Sequence, residues 1–256
     1  MFWRCHDCFH GMREEACAGG IAVVLDVLRA STTIITALAH GAAWVLPVRT
    51  IEEAREAAAR EAALLGGERG GRRIDGFSLG NSPLEYTADR LGGRPVVITT
   101  TNGTAALHAC GAAAEVLVGG IVNRAAVAAC ARQLAAAPAG REIHLVCAGT
   151  DGVVTEEDLL GAGAILDAAV ALPGAAADDL DPAARAALAR YRETVANADP
   201  ASALARAFAS TLGGRNLLEI GMQADLPPAA AIDSFAVVPR FDRVSGRLVA
   251  EPASAG

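Results

Sequence analysis

Short apolar runs alternate with amphipathic segments along residues 21–170 of this chain. Residues 31–40 and 51–65 carry apolar positions at helical spacing. The apolar runs that predict buried strands are residues 21–28, 43–48, 95–99, 115–118 and 142–147. Strands that alternate with helices are typical of βαβ units, so we predict an α/β fold with three layers, α/β/α, around a largely parallel sheet.

The alternation of apolar runs and amphipathic segments is interrupted after the first two of these helices, and the composition changes again after residue 173. Residues 66–83 are rich in glycine and arginine and predict an irregular functional loop. Beyond residue 173 the sequence predicts a helical segment over 182–196 and 200–212. A strand near 235–239 and a terminal hairpin near 244–249 follow.

These differences divide the chain into three parts. Residues 1–20 form an N-terminal segment of unknown role. Residues 21–172 form the α/β core, which we expect to contain a phosphate and metal site. Residues 173–256 supply C-terminal helices and strands that we expect to pack on this core.

Composition excludes several classes of function. Of 256 residues, 52% are hydrophobic, which is ample for a buried core, and the net charge of −7 argues against binding nucleic acid or an anionic membrane. All 22 basic residues are arginine, so the chain has no Schiff-base lysine and no Walker-type phosphate loop. We expect a small anionic partner, and assembly of several copies stays open.

The apolar runs are too short to cross a bilayer, and polar residues interrupt the first ten positions where a secretory signal would be apolar. We therefore expect a cytoplasmic protein with reduced cysteines. Cys5 and Cys8 with His6 and His10 suggest zinc, but a single C-x-x-C without a second pair is weak, and an ordinary N-terminal segment explains it better.

A predicted strand runs into Thr100-Thr101-Asn102-Gly103-Thr104 and then into a helix of small residues. The first N–H groups of a helix lack intrahelical acceptors and lie at its positive end, and glycine allows close approach of a ligand. The threonine hydroxyls add donors. We predict an oxyanion cradle here; the alternative is an Asn-Gly turn with a helix cap.

Polar residues follow four of the predicted strands. They lie in residues 26–33, 100–104 and 148–158 and at Asn123. In a parallel sheet these loops share one edge, where ligands of open α/β folds bind, so we expect them to converge.

Asp26 interrupts an apolar run, where a carboxylate is costly unless it is paired, protonated or bound to a cation. It is our first candidate functional residue. The alternative is a structural ion pair with Arg29. Ser31 and Thr32 open the next helix, as caps or as a second phosphate pocket.

Further candidates stand in the glycine-rich stretch and at a later helix start. Glu68 and Arg69 belong to that stretch, and Asn81 is a possible ligand for substrate. Glu157 and Asp158 begin the helix after Thr150 and suit Mg²⁺, which takes one or two carboxylates and completes its shell with water and phosphate. Favourable charge at a helix N-terminus explains these two acids equally well.

Several of these segments together resemble the 2-phosphosulfolactate phosphatase family. They are VLDVLRAST at 24–32, LGGER at 65–69, GFSLGNSP at 76–83, TTTNGT at 99–104 and CAGT at 147–150, with a weaker match of DSFAVVP at 233–239. The resemblance implies a Mg²⁺-dependent phosphatase that converts 2-phosphosulfolactate to sulfolactate and phosphate, a step of coenzyme M biosynthesis. Residues 1–20 and the helices between 178 and 212 carry no such resemblance.

For such an enzyme we predict a site that combines these candidates. Asp26, Arg29, Arg69 and Asn102 are assigned to catalysis, with Asp26 or a metal-activated water as the attacking group. Asp26, Glu68, Glu157 and Asp158 are assigned to the metal. Substrate binding is assigned to Ser31, Thr32, Asn81, Thr100, Thr101, Gly103, Thr104, Asn123 and Thr150. The rival hypothesis is a non-catalytic protein that binds a phosphorylated metabolite.

Overall fold

A computed structural model describes residues 1–13, 15–136, 140–174 and 179–251. The strands are β1 Trp3–His6, β2 Ile21–Leu25, β3 Val45–Pro47, β4 Leu64–Arg69, β5 Arg72–Arg73, β6 Val96–Thr99, β7 Glu115–Val118, β8 Ile143–Cys147, β9 Val238–Asp242 and β10 Arg247–Glu251. The helices are α1 Ala30–Ala39, α2 Ile51–Glu61, α3 Ala88–Leu91, α4 Gly103–Ala109, α5 Arg124–Ala135, α6 Glu156–Val170, α7 Pro182–Val195, α8 Pro200–Ser210, α9 Leu212–Glu219 and α10 Leu226–Ala229.

The strands form one sheet in the order β1-β8-β2-β7-β9-β10-β3-β6-β4-β5. Two parallel blocks, β1-β8-β2-β7 and β3-β6-β4, are joined by the antiparallel hairpin β9-β10. The α/β fold with a mostly parallel sheet is therefore confirmed.

Helices cover both faces of the sheet because side chains alternate along each strand. On β2, Ala22 and Val24 pack with residues of α1 and α4, whereas Ile21, Val23 and Leu25 pack with residues of α5, α6 and α7. Strands of both parallel blocks contribute to the cluster around α1 and α4. These two helices therefore form the layer that both halves of the sheet share.

The hairpin reverses the strand direction between the two parallel blocks, which changes the geometry that we expected. Three successive antiparallel pairings separate β7 from β3, so the blocks run in opposite directions within the sheet. Nevertheless Gly103, after β6, lies against Asp26, after β2. Because these chain ends meet, the sheet twists and curves, as long sheets do. The loops converge, but not along one edge of a flat parallel sheet.

The prediction of an irregular loop over residues 66–83 is wrong at its start. Residues 64–69 form β4, which pairs with β6, and α2 ends earlier than expected, at Glu61. Gly66 and Gly67 concealed this strand, because glycine has low strand propensity. Both are required here: a Cβ on Gly66 would overlap the Tyr86 hydroxyl, and one on Gly67 would overlap the Thr99 carbonyl.

The C-terminal strands β9 and β10 are part of the sheet of the core, where they lie between β7 and β3. The N-terminal segment also enters the sheet, where β1 pairs with β8. Helices α8, α9 and α10 form a separate apolar cluster with Val27, Ile121 and Leu160. The three-part division of the chain stays a prediction. No helix among the described residues is both long and apolar enough to span a membrane.

Candidate active site

A cleft of about 390 Å³ opens at the carboxyl ends of β2, β4, β6 and β8. Each of these strands is followed by polar residues that reach it, and α9 supplies a further wall. Its lining residues include Asp26, Arg29, Glu68, Asn81, Thr101, Asn102, Thr150, Asp151, Glu157, Asp158, Asn216 and Glu219. The cleft is strongly acidic, and its chemistry follows from how each carboxylate is held.

Asp26 is buried at the end of β2, where the backbone fixes its carboxylate. Oδ1 accepts a hydrogen bond from the Ala30 N–H at 3.0 Å, and a Cβ on Gly103 would lie 2.7 Å from Oδ2. Burial raises the pKa of Asp26 to about 6, and the charges of Glu68 and Glu157 act in the same direction. Asp26 can therefore hold a proton in mildly acidic solution.

Glu68 joins two loops of the cleft. Its Oε1 accepts from both the backbone N–H and the hydroxyl of Thr101, at 2.8 and 2.9 Å, and its Oε2 accepts from the Gly71 N–H at 2.7 Å. The two donors that Thr101 was expected to offer to an oxyanion are thus directed at a carboxylate. Glu68 fixes the start of α4 relative to β4.

Glu157 and Asp158 begin α6 and differ in their partners. Asp158 accepts from the Val27 N–H at 2.8 Å and the Gly149 N–H at 2.9 Å, so it ties together the loops after β2 and β8. Glu157 Oε2 is buried and has no hydrogen-bond partner in the described part of the chain. Burial raises the pKa of both carboxyls, most strongly that of Asp158, where Asp26 and Glu157 add to the effect.

Arg29 is the one cationic side chain among the described residues that line the cleft. Its Nη1 donates to Asp225 Oδ2 at 2.7 Å and its Nη2 donates to the Gly71 carbonyl at 2.6 Å. Asp225 in turn accepts from the Ser82 hydroxyl at 2.5 Å. The guanidinium is therefore already neutralised, whereas six carboxylates line the cleft: Asp26, Glu68, Asp151, Glu157, Asp158 and Glu219.

Nine of the residues that we predicted from the sequence lie in this cleft. They are Asp26, Arg29, Glu68, Asn81, Thr101, Asn102, Thr150, Glu157 and Asp158. Asn81 is buried, and its Oδ1 has no partner among the described residues. The alternative pairing of Asp26 with Arg29 does not form, because Arg29 pairs with Asp225.

The other predicted site residues do not line the cleft, because the protein uses their polar groups itself. The Ser31 hydroxyl accepts from the Asp26 N–H, and that of Thr32 donates to the Val27 carbonyl. Thr100 and Thr104 bond to each other across the first turn of α4. The predicted cradle is thus closed by internal hydrogen bonds.

Three further predicted residues have other positions. Asn123 is fully buried and bridges the backbone of Gly120, Val118 and Val237. Arg69 donates to the Arg49 carbonyl and the Thr99 hydroxyl, away from the cleft. Gly103 does not line the cleft, and a Cβ there would lie 2.7 Å from Asp26 Oδ2.

Neither the wall of the cleft that α9 provides nor the pairing of Asp225 with Arg29 was predicted from the sequence. Gly213, Asn216 and Glu219 reach the cleft from α9, and a Cβ on Gly213 would overlap Glu157 Oε1. The signal that was available is the pair Gly213-Gly214, just inside a helix, where glycine is unfavourable without a packing reason.

A family model described as 2-phosphosulpholactate phosphatase matches residues 9–243. The chain belongs to this family. Three similar proteins carry the name probable 2-phosphosulfolactate phosphatase. That of Deinococcus radiodurans is 43% identical over 223 residues, 86% of each chain. That of Caldanaerobacter subterraneus is 34% identical over 94% of this chain and 95% of its own. That of Thermotoga maritima is 38% identical over 85% of this chain and 87% of its own.

Family membership places the chain among the phosphoric monoester hydrolases. The resemblance read from its motifs is confirmed, and those motifs form the cleft walls after β2, β4, β6 and β8. The rival hypothesis of a binding protein without catalysis is therefore not supported.

Proposed function

We propose that this enzyme hydrolyses 2-phosphosulfolactate, or a closely related phosphorylated hydroxy acid, in a reaction that depends on Mg²⁺. The observation that carries the proposal is the charge of the cleft. A substrate with phosphate, carboxylate and sulfonate groups is repelled by six carboxylates unless a cation is bound, and Arg29 is already paired.

The residues of the cleft fit a magnesium ion. Mg²⁺ prefers oxygen ligands, and two buried oxygens in the cleft, Asn81 Oδ1 and Glu157 Oε2, have no protein partner in the described chain. Asp26 and Glu157 would hold the ion, with Glu68 and Asp158 fixing the surrounding loops. When bound, the ion supplies positive charge that offsets the phosphoryl oxygens.

Across the described residues, no three carboxylates of the cleft bring oxygens within 4.8 Å of one another. This is compatible with Mg²⁺, which commonly takes only one or two protein carboxylates and leaves the remaining positions to water and substrate.

The protein groups orient the loops of the cleft and the substrate. Arg29, immobilised by Asp225 and the Gly71 carbonyl, would hold the loop after β2 in place. Asn102 and Thr150 offer neutral donors. Asp26, in its ionised form, would either attack phosphorus or accept the proton of an attacking water. We place the reaction in the cytoplasm, in coenzyme M biosynthesis or a related use of sulfolactate.

A matched panel of phosphate esters tests both parts of the proposal. Phosphate release is measured from 2-phosphosulfolactate, 2-phospholactate and 2-phosphoglycerate, each with Mg²⁺ and with a chelator. We expect the highest kcat/KM for the sulfonate and at least a 100-fold loss on chelation. Equal rates with and without Mg²⁺ would exclude a role of the metal in the reaction. A preference for an ester without sulfonate would exclude 2-phosphosulfolactate as the preferred substrate.

Asp26→Asn and a trapping experiment together identify the attacking group. Loss of turnover is expected in either mechanism, so the wild-type enzyme is also quenched during turnover and searched for phosphate on Asp26. Phosphoaspartate means that Asp26 attacks, and its absence at full turnover means that water does. Normal hydrolysis by Asp26→Asn would contradict both.

A further inference from the structure

Three potential metal ligands meet at the N-terminal end of the molecule, outside the cleft. His6 lies on β1, Cys17 precedes β2, and His144 lies on β8. One ligand atom of each lies within 4.8 Å of those of the other two. Within the described part of the chain, no other group of three or more histidine, cysteine or acidic side chains is this close.

The two imidazoles share one side of this group. His6 Nε2 lies 3.1 Å from His144 Nδ1, and the rings stack with centroids 5.3 Å apart and an angle of 18°. Two nitrogens on one tetrahedral Zn²⁺ lie about 3.3 Å apart, because each Zn–N bond is about 2.0–2.1 Å long. The observed separation therefore suits a shared ion with little movement of either ring.

A second sulfur adjoins the group. The thiol of Cys110, at the end of α4, lies next to Cys17, and both cysteines are buried and free. The thiolate is the form of cysteine that binds zinc.

Glu142 lies near the ring nitrogen of His144 that does not face His6. His144 Nδ1 lies 3.1 Å from His6 Nε2, and its Nε2 lies 3.9 Å from Glu142 Oε2, which is too long for a hydrogen bond. In zinc proteins the ring nitrogen that does not bind the metal is usually held by a carboxylate or a carbonyl. Glu142, whose carboxylate accepts from Arg4, would take that role after a small movement towards the ring.

We propose that His6, Cys17 and His144, with Cys110 as the fourth ligand, form a structural Zn²⁺ site that fastens the N-terminal segment to the sheet. The three ligands of the group fill three tetrahedral positions, and Cys110, whose sulfur lies outside the group of mutually close atoms, would move towards the ion to close the shell, as in structural zinc sites. None of the four lines the acidic cleft. The site does not depend on the proposed reaction and uses soft ligands, in contrast to the oxygen ligands of the cleft.

The test uses the full chain, purified under reducing conditions, stripped with a chelator and then titrated with Co²⁺ and Zn²⁺ in excess Mg²⁺. We expect one equivalent of Co²⁺ with tetrahedral d–d bands and a sulfur-to-metal charge-transfer band, displaced by one equivalent of Zn²⁺. Zn²⁺ should also raise the thermal midpoint. A Co²⁺ spectrum without the sulfur band, or no metal-dependent change, overturns the proposal.

Matched variants separate this site from chance binding. Cys17→Ser and His6→Ala should weaken Zn²⁺ binding by more than about 100-fold, and Glu142→Gln by about tenfold. Cys130→Ser and His10→Ala are the controls and should bind like the wild type. His6 is only half-buried, so His6→Ala keeps the test valid if Cys17→Ser does not fold. Wild-type binding by Cys110→Ser, or a Cys17–Cys110 disulfide in the purified protein, contradicts the assigned ligand set.

Discussion

Arg29 and Asp225 form an ion pair, 2.7 Å from Nη1 to Oδ2, in which both side chains are only 2% exposed. The pair joins the loop after β2 to the segment between α9 and α10. Ser82 donates to the second oxygen of Asp225, so three distant parts of the chain meet there. Because Arg29 lines the cleft, this contact fixes the cationic group of the site.

Asp225→Asn should leave a buried guanidinium without its counter-charge. We expect a loss of about 3–5 kcal/mol in the free energy of unfolding, measured with chemical denaturant, together with lower kcat/KM. Arg4→Gln is the control, since the Arg4–Glu142 pair is 41% and 46% exposed and should contribute less than about 1 kcal/mol. Equal losses in the two variants would show that burial does not control the effect.

The sequence predicted the parts of the fold that depend on local pattern. The apolar runs at β2, β6, β7 and β8 are as expected, since an apolar run is a property of a few neighbouring residues. β4 was missed because Gly66 and Gly67 are required by tertiary contacts. The insertion of β9 and β10 into the sheet is likewise a long-range property that no local pattern carries.

The site was predictable where a charged residue lies in a segment of the sequence that is otherwise apolar. Asp26 within an apolar strand and the acids at the start of α6 lie in the cleft as expected. Thr101 and Thr150 line the cleft, whereas the hydroxyls of Thr32, Thr100 and Thr104 bond to the backbone, which the sequence does not reveal. Asp225 carried no local signal at all: its importance arises from Arg29, almost two hundred residues away.

Asn81 and Asn123 should respond in opposite ways to replacement by alanine. Asn81 Oδ1 has no protein partner in the described structure, so Asn81→Ala should lower kcat/KM about 10–100-fold and change the free energy of unfolding by less than about 1 kcal/mol. Asn123 satisfies three backbone groups away from the cleft, so Asn123→Ala should lose about 1–3 kcal/mol of stability with near-normal kcat/KM. If Asn123→Ala instead lowered kcat/KM and kept wild-type stability, Asn123 would belong to the substrate-binding residues.

The pH dependence of stability should change sign when Mg²⁺ is added. The pKa of Asp26 is about 6 in the folded chain and near 3.8 as a free side chain, so the folded state binds more protons. In a chelator this contribution to stability is complete below about pH 4 and is lost as pH rises through about 6. Mg²⁺ binds the ionised carboxylates, so its stabilisation should grow over the same interval.

Thermal unfolding at pH 5 and pH 7.5, with chelator and with Mg²⁺, measures both effects. In chelator, Asp26→Asn should weaken the pH dependence, because one of the three buried carboxyls with a raised pKa is gone. A stabilisation by Mg²⁺ that is as large at pH 5 as at pH 7.5 would place the ion elsewhere than at these buried acids.

Gly66 and Tyr86 should be strongly coupled. A Cβ on Gly66 overlaps the Tyr86 hydroxyl oxygen, whereas the nearest ring carbon is 3.3 Å away. Gly66→Ala should therefore cost about 1–3 kcal/mol, and Tyr86→Phe about 1 kcal/mol, because the Gly80 carbonyl loses one of its two donors and keeps the Gly67 N–H. In the double variant the overlap is gone, so the combined loss should be smaller than the sum of the two single losses by at least about 1 kcal/mol.

Gly11→Ala, which has open space around its Cβ, is the matched control, and its free energy of unfolding should stay within about 0.5 kcal/mol of the wild type. Additive losses would mean that β4 shifts to accept the methyl group, and Glu68 would then move with it and lower activity.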